Sequence, residues 1–117
     1  MKWPEICHNI PEMSPGRYLC SQLVTLSHEE GATIVNLEEI YAAGAVVESE
    51  TAVPVDTGVE LRCGQAYFTG KITAAEAHDF GWRLSVLFSP ETPWRPEQFR
   101  PEHLFDPATV PGAVKKT

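Results

Sequence analysis

The chain has 117 residues, a mass of 13.0 kDa, 43% hydrophobic residues and a formal charge of −7. That is enough apolar matter for one core and too little chain for two, so a single folded domain is expected. No apolar run approaches the ~20 residues of a membrane-spanning helix, residues 1–12 lack the apolar stretch of a signal peptide, and the acidic balance disfavours nucleic acid or an anionic membrane as a partner.

Proline divides the chain into three parts. Pro4, Pro11 and Pro15 mark residues 1–16 as an irregular N-terminal arm. Between residues 16 and 89 Pro54 stands alone, and seven of the eight glycines punctuate that stretch. Proline lacks an N–H donor and is excluded from central strands, so a sheet belongs in residues 17–89. Tyr18–Leu26 is rich in strand formers, although Gln22 interrupts its apolar face. A polar turn at His28–Gly31 leads to a second strand, Ala32–Leu37. Tyr41-Ala42-Ala43-Gly44 reads as the next turn, with Gly44 expected at positive φ. Ala45–Ser49 follows, and then a loop over Pro54–Gly58. Val59, Leu61 and Cys63 alternate with Glu60 and Arg62. Ala66, Phe68, Gly70 and Ile72 alternate with Tyr67, Thr69, Lys71 and Thr73, while Glu76–His78 reads as a turn. The clearest case is Trp82, Leu84, Val86 and Phe88, which alternate with Arg83, Ser85 and Leu87. Period-two alternation turns one set inward and the other outward.

Six short strands with glycine turns predict an all-β fold, a small six-stranded antiparallel β-barrel over 17–89. Closure removes the exposed edges of a small open sheet. Residues 90–117 form a Pro-rich tail. Pro96-Glu97 and Pro101-Glu102 suit the first turn of a helix, which predicts one or two short helical turns. Trp94, Phe99, Leu104 and Phe105 are expected to fold back on the barrel rather than face water.

Charge is unevenly distributed. Residues 1–61 hold two basic against ten acidic groups, a balance of −8, and residues 62–117 hold seven against six, a balance of +1. Cys7, Cys20 and Cys63 are odd in number and never spaced as CxxC, which predicts free thiols and a cytoplasmic setting. Cys7-His8 has no second paired cluster to complete a zinc site, so no metal is expected. No nucleophile constellation surrounds His28, His78 or His103, and Gly64–Gly70 lacks the Lys-Ser/Thr ending of a phosphate loop. Neither an enzyme nor a cofactor-binding protein is expected.

The stretch Glu39-Ile40-Tyr41-Ala42-Ala43-Gly44 and the apolar strand after it are similar to a D/N-x-S-x-x-G turn. Pro54-Val55-Asp56-Thr57-Gly58-Val59-Glu60-Leu61 is similar to P-x-G-x-x-V-x-L, and Trp82–Phe88 to a closing strand. In this order and spacing, over about 75 residues counted from the strand after Arg17, they resemble a PilZ domain. PilZ domains are six-stranded barrels best known as bacterial receptors for cyclic di-GMP. The resemblance implies a binding site at Arg17, Glu39, Tyr41 and Gly44. The departures from the family pattern fall at that site. Ligand-binding members carry R-x-x-x-R before the first strand, whereas here Met13 precedes Arg17. Glu39 replaces the short Asp or Asn, and Tyr41 replaces the serine. Arginine binds phosphate through a planar fork, and each lost charge-assisted contact costs on the order of 1.5–3 kcal/mol. The expectation is a signalling module that contacts another protein and has lost cyclic di-GMP binding. A cyclic di-GMP receptor with an altered site is the alternative.

Overall fold

A computed structural model describes residues 16–106. Expectations placed on 1–15 and 107–117, including those for Cys7, His8 and Met13, lie outside the described residues. Six strands follow one another: β1 (Tyr18–His28), β2 (Gly31–Tyr41), β3 (Gly44–Ser49), β4 (Gly58–Cys63), β5 (Ala66–His78) and β6 (Gly81–Phe88). All pairs are antiparallel, and the sheet closes as β1-β2-β3-β6-β5-β4. The expected six-stranded antiparallel barrel is the observed architecture.

The alternating residues meet inside it. Val24, Leu26, Val35, Leu37, Val59, Leu61, Phe68, Ile72, Leu84, Val86 and Phe88 are all buried in one cluster. Trp82 packs against that cluster while remaining partly exposed. Phe68 and Phe88 stack at 4.9 Å between ring centroids.

Four connections are tight hairpins, and the fifth is different. In the closed ring β3 and β4 stand opposite one another, so residues 50–57 must cross a mouth of the barrel. They do so by burying Val53 and bonding Asp56 N–H to Ile72 C=O at 2.7 Å. Ser49 Oγ anchors the start of the crossing, donating to Thr51 C=O at 2.8 Å and accepting from its N–H at 3.1 Å.

Three irregularities bend the strands: in β1 between Leu19 and Gln22, in β2 between Leu37 and Glu39, and in β5 between Ile72 and Ala74. A bulge adds a residue on one strand, sharpens local twist and helps a short sheet curl closed. Each bulge also shifts the phase of alternation. Two boundaries differ from expectation at these bulges, and His28 and Gly31, expected in the turn, instead end β1 and begin β2. β2 runs to Tyr41 rather than Leu37, because Glu38 and Glu39 both face outward before Ile40 turns in. β5 runs through Glu76–His78, which form strand rather than turn.

The tail closes the other mouth. Trp94 is buried and donates from Nε1 to Phe99 C=O at 2.8 Å, and its ring meets Tyr18 edge-on at 5.5 Å. Phe99 and Leu104 pack on the core as expected, whereas the Phe105 side chain stays exposed while its backbone bridges to Leu19. No helix forms among the described residues. At Pro96–Gln98 the chain makes an isolated turn, with Gln98 N–H bonded to Arg95 C=O at 2.9 Å. A proline-acid pair favours a helix start, but nothing extends it here, because Pro101 follows within five residues.

The tail also finishes the seam between the first and last strands of the ring. β1 and β4 pair at three positions, Thr25–Arg62, Leu26–Leu61 and Ser27–Glu60. The lower half of β1 is capped by the tail instead. Leu19 and Phe105 exchange both backbone bonds, at 2.8 and 2.7 Å. Ser21 N–H reaches Glu102 C=O at 3.2 Å, and Glu102 N–H donates to Gln22 Oε1 at 2.8 Å. The polar residue that interrupts β1's apolar face is thus one of those that hold the tail.

Candidate functional site

The four residues implied by the PilZ resemblance are brought together at the pole of the barrel where the tail docks. Arg17 precedes β1, Glu39 and Tyr41 end β2, and Gly44 begins β3. Tyr18 pairs with Ile40 and Leu19 with Glu39, which sets Arg17 beside the end of β2. Its Nε lies 3.0 Å from Glu39 Oε1. Its guanidinium stands 4.3 Å over the Tyr41 ring, a cation–π distance. The ring in turn covers Gly44, where an added Cβ would stand 2.9 Å from the Tyr41 hydroxyl oxygen.

Gly44 does not serve as expected. Its φ lies outside the left-handed region, and Ala42 and Ala43 supply the two-residue turn between Tyr41 and Gly44 without positive φ. The glycine is needed for close approach, since a Cβ there would collide with the Val86 carbonyl oxygen on β6. The turn is also the tail's anchor. Ala43 C=O accepts from Phe88 N–H at 2.7 Å, and Ala42 C=O accepts from Trp94 N–H at 3.0 Å.

Sequence reasoning missed Glu38 and Arg83. The β2 bulge turns both Glu38 and Glu39 outward, and Arg83 reaches across from β6. Its Nη2 lies 3.5 Å from Glu38 Oε1 and 3.6 Å from Glu39 Oε2. Next along the face, His78 Nδ1 stands 3.1 Å from Glu48 Oε2. A ladder of alternating charge therefore runs over the outside of the barrel, with Arg17 and Glu39 at one end and Glu48 and His78 at the other. Partial burial, and then the nearby Glu48 carboxylate, raise the Glu38 carboxyl above its ordinary pKa, with Arg83 and His78 opposing them. The outward alternation of Arg83 was readable in the sequence, but its partners depended on the bulge.

The Arg17 guanidinium already has a carboxylate partner within the chain. An incoming phosphate would have to displace Glu39 from Arg17 and desolvate the carboxylate left behind, which is costly for an unpaired charge. A concavity between Tyr67 and the tail residues Glu91, Arg95 and Gln98 includes none of the four residues, nor does a groove beside Leu23, Ile34 and Phe80.

Neither of the described thiols, Cys20 and Cys63, has nucleophilic character. Burial first, and then Glu39 and Glu38, push Cys20 up to about 12, and burial pushes Cys63 up to about 12. Both stay protonated at neutral pH, and a thiol rather than a thiolate is a poor nucleophile. Among the described residues no three His, Cys, Asp or Glu side chains are grouped to hold a metal ion.

Comparison with protein-family models, with curated proteins and with solved structures returns no match.

Proposed function

We propose that this barrel is a PilZ-like, non-enzymatic signalling module that contacts another protein and no longer binds cyclic di-GMP. The observation that carries the reading is the engagement of Arg17 by Glu39 and Tyr41. The guanidinium that would meet a phosphate is neutralised by one neighbour and stacked on another. Tyr41 places a ring where ligand-binding PilZ domains have a serine. The surrounding half of the chain, at −8, opposes a dianion within roughly a Debye length of ~8 Å at physiological salt.

Titration calorimetry with cyclic di-GMP tests this directly. The native chain is expected to show no heat of binding at micromolar ligand. The combined Met13→Arg, Glu39→Asp and Tyr41→Ser chain is expected to gain binding. Micromolar binding by the native chain, abolished by Arg17→Ala, would instead establish an altered receptor site.

A further inference from the structure

We propose that the pole of the barrel opposite the tail, around Leu23, Ile34 and Phe80, is a docking surface for a protein segment whose apolar side chains are flanked by lysine or arginine. The inference rests on the reading of the chain as an interaction module and gives that module its contact face and its partner's chemistry.

Phe80 is the starting observation. His78 pairs with Gly81, so Asp79 and Phe80 are the two loop residues of the β5–β6 hairpin. Such positions favour glycine, asparagine or aspartate, and a phenylalanine there adds nothing to the turn. Its ring is 94% exposed. Full burial of a side chain of this size is worth about 1.5–3 kcal/mol, which the isolated fold does not collect. The tip is held in place, because Gly81 packs so closely on the Ser49 carbonyl that a Cβ would collide with it. Phe80 lines one groove together with Leu23 and Ile34, which are 68% and 59% exposed on adjacent strands. Exposed apolar side chains grouped in this way mark interaction sites more often than single ones do.

At this pole β1 is paired with β2 and, over Thr25–Ser27, with β4, while β2 pairs with β3 only from Asn36 onward. What this face offers a partner is the exposed apolar side chains of Phe80, Leu23 and Ile34.

Charge decides which partner. Glu29 and Glu30 occupy the β1–β2 turn, Glu50 lines the groove, and Asp79 adjoins Phe80. Lys71 is matched with Asp56 and His78 with Glu48, and His28 adjoins Glu29 at the end of β1. A second copy of the chain would set these carboxylates against their like, and an anionic lipid surface would meet the same repulsion. A cationic rim around an apolar anchor complements the face in both respects. The chain's own Val114-Lys115-Lys116 has that chemistry, but the described body ends at the opposite pole, beside Leu19.

The full chain should be titrated against a short fluorescent peptide of alternating leucine and lysine, and against a matched leucine–glutamate peptide, with anisotropy as the readout. The leucine–lysine peptide is expected to bind at least about tenfold more tightly. Phe80→Ser, Leu23→Ser and Glu50→Lys should each weaken it several-fold, as expected for central anchors and for a reversed rim charge. These exposed changes should leave the unfolding midpoint in place. Binding indifferent to Phe80→Ser and Leu23→Ser would overturn the proposal, leaving only diffuse attraction to an acidic protein. Tighter binding by a Lys115→Glu, Lys116→Glu chain would overturn it too, by identifying the chain's own end as the occupant. Calorimetry with cyclic di-GMP on the same samples separates the two readings: heat there sinks the loss of nucleotide binding, while failure of the peptide series sinks only the docking face.

Discussion

Glu38 and Glu39 are sequence neighbours that face the same way, because the bulge in β2 interrupts the pleat between Leu37 and Ile40. Arg83 bridges them, but Glu38 is also partly buried and close to Glu48. Its folded carboxyl therefore holds a proton more tightly than the unfolded chain does. For such a group the favourable contribution is complete below the unfolded value of about 4.3 and is lost as pH rises through the higher folded value. At neutral pH an ionised Glu38 is a small cost. Glu38→Gln should stabilise the protein at pH 7 by about 0.5 kcal/mol or less, since a partly solvated cluster is screened. The gain should vanish below about pH 4. Urea unfolding at the two pH values checks this, and a lower midpoint for Gln at neutral pH would mean that the Arg83 contact dominates. Gly44 is the second residue with a decided role. Its missing Cβ lets β3 lie against the Val86 carbonyl, and backbone cannot yield as a flexible side chain can. Gly44→Ala should cost on the order of 1–3 kcal/mol in denaturant unfolding, with or without any ligand. The sequence marked this glycine correctly and gave it the wrong reason. A turn motif looks the same whether its glycine serves backbone φ or a close crossing from a strand 42 residues away.

Among the elements, the tail has the most to lose from one substitution. Trp94 joins three parts of the molecule: its N–H bonds the β2–β3 turn at Ala42, its ring meets Tyr18, and its indole N–H holds Phe99. Trp94→Ala should cost about 3–5 kcal/mol, as for other buried aromatics, with Trp94→Phe recovering part of it. Hydrogen exchange gives a more local readout. The Leu19 and Phe105 amides, which bond each other across the seam, should lose protection first. An alanine variant with unchanged exchange there would show that the pairing holds without its anchor. The strands with unbroken alternation, β4 and β6, were legible from sequence in both extent and facing. β2 and β5 were legible only up to their bulges. Beyond Ile72 the sequence reads Thr73-Ala74-Ala75, whose small side chains carry little hydrophobic contrast, so the continuation of β5 left no periodic signal.

At the scale of the whole molecule, composition and turn spacing were enough to indicate a closed antiparallel barrel, because six short strands with apolar inner faces have few other ways to remove their edges. The ring order was not written locally. It depends on residues 50–57 crossing a mouth and on β1 meeting β4 at three positions. The candidate site was legible as four residues and illegible as chemistry. That Arg17, Glu39, Tyr41 and Gly44 converge followed from strand order. That they satisfy one another depended on side-chain reach and on Arg83 arriving from β6.

The Leu19–Phe105 pairing has a consequence for how the domain can be built into larger proteins. Because these residues exchange both backbone bonds in an antiparallel bridge, the chain enters and leaves the barrel side by side. A host loop could be cut, and this barrel spliced into the gap, without prising the host's own ends apart. Both flanking segments would then emerge at one pole, next to Arg17 and Trp94, while Phe80 stands at the other. In such an arrangement the barrel is a pedestal, with its attachment at the base and the aromatic tip held out into solution.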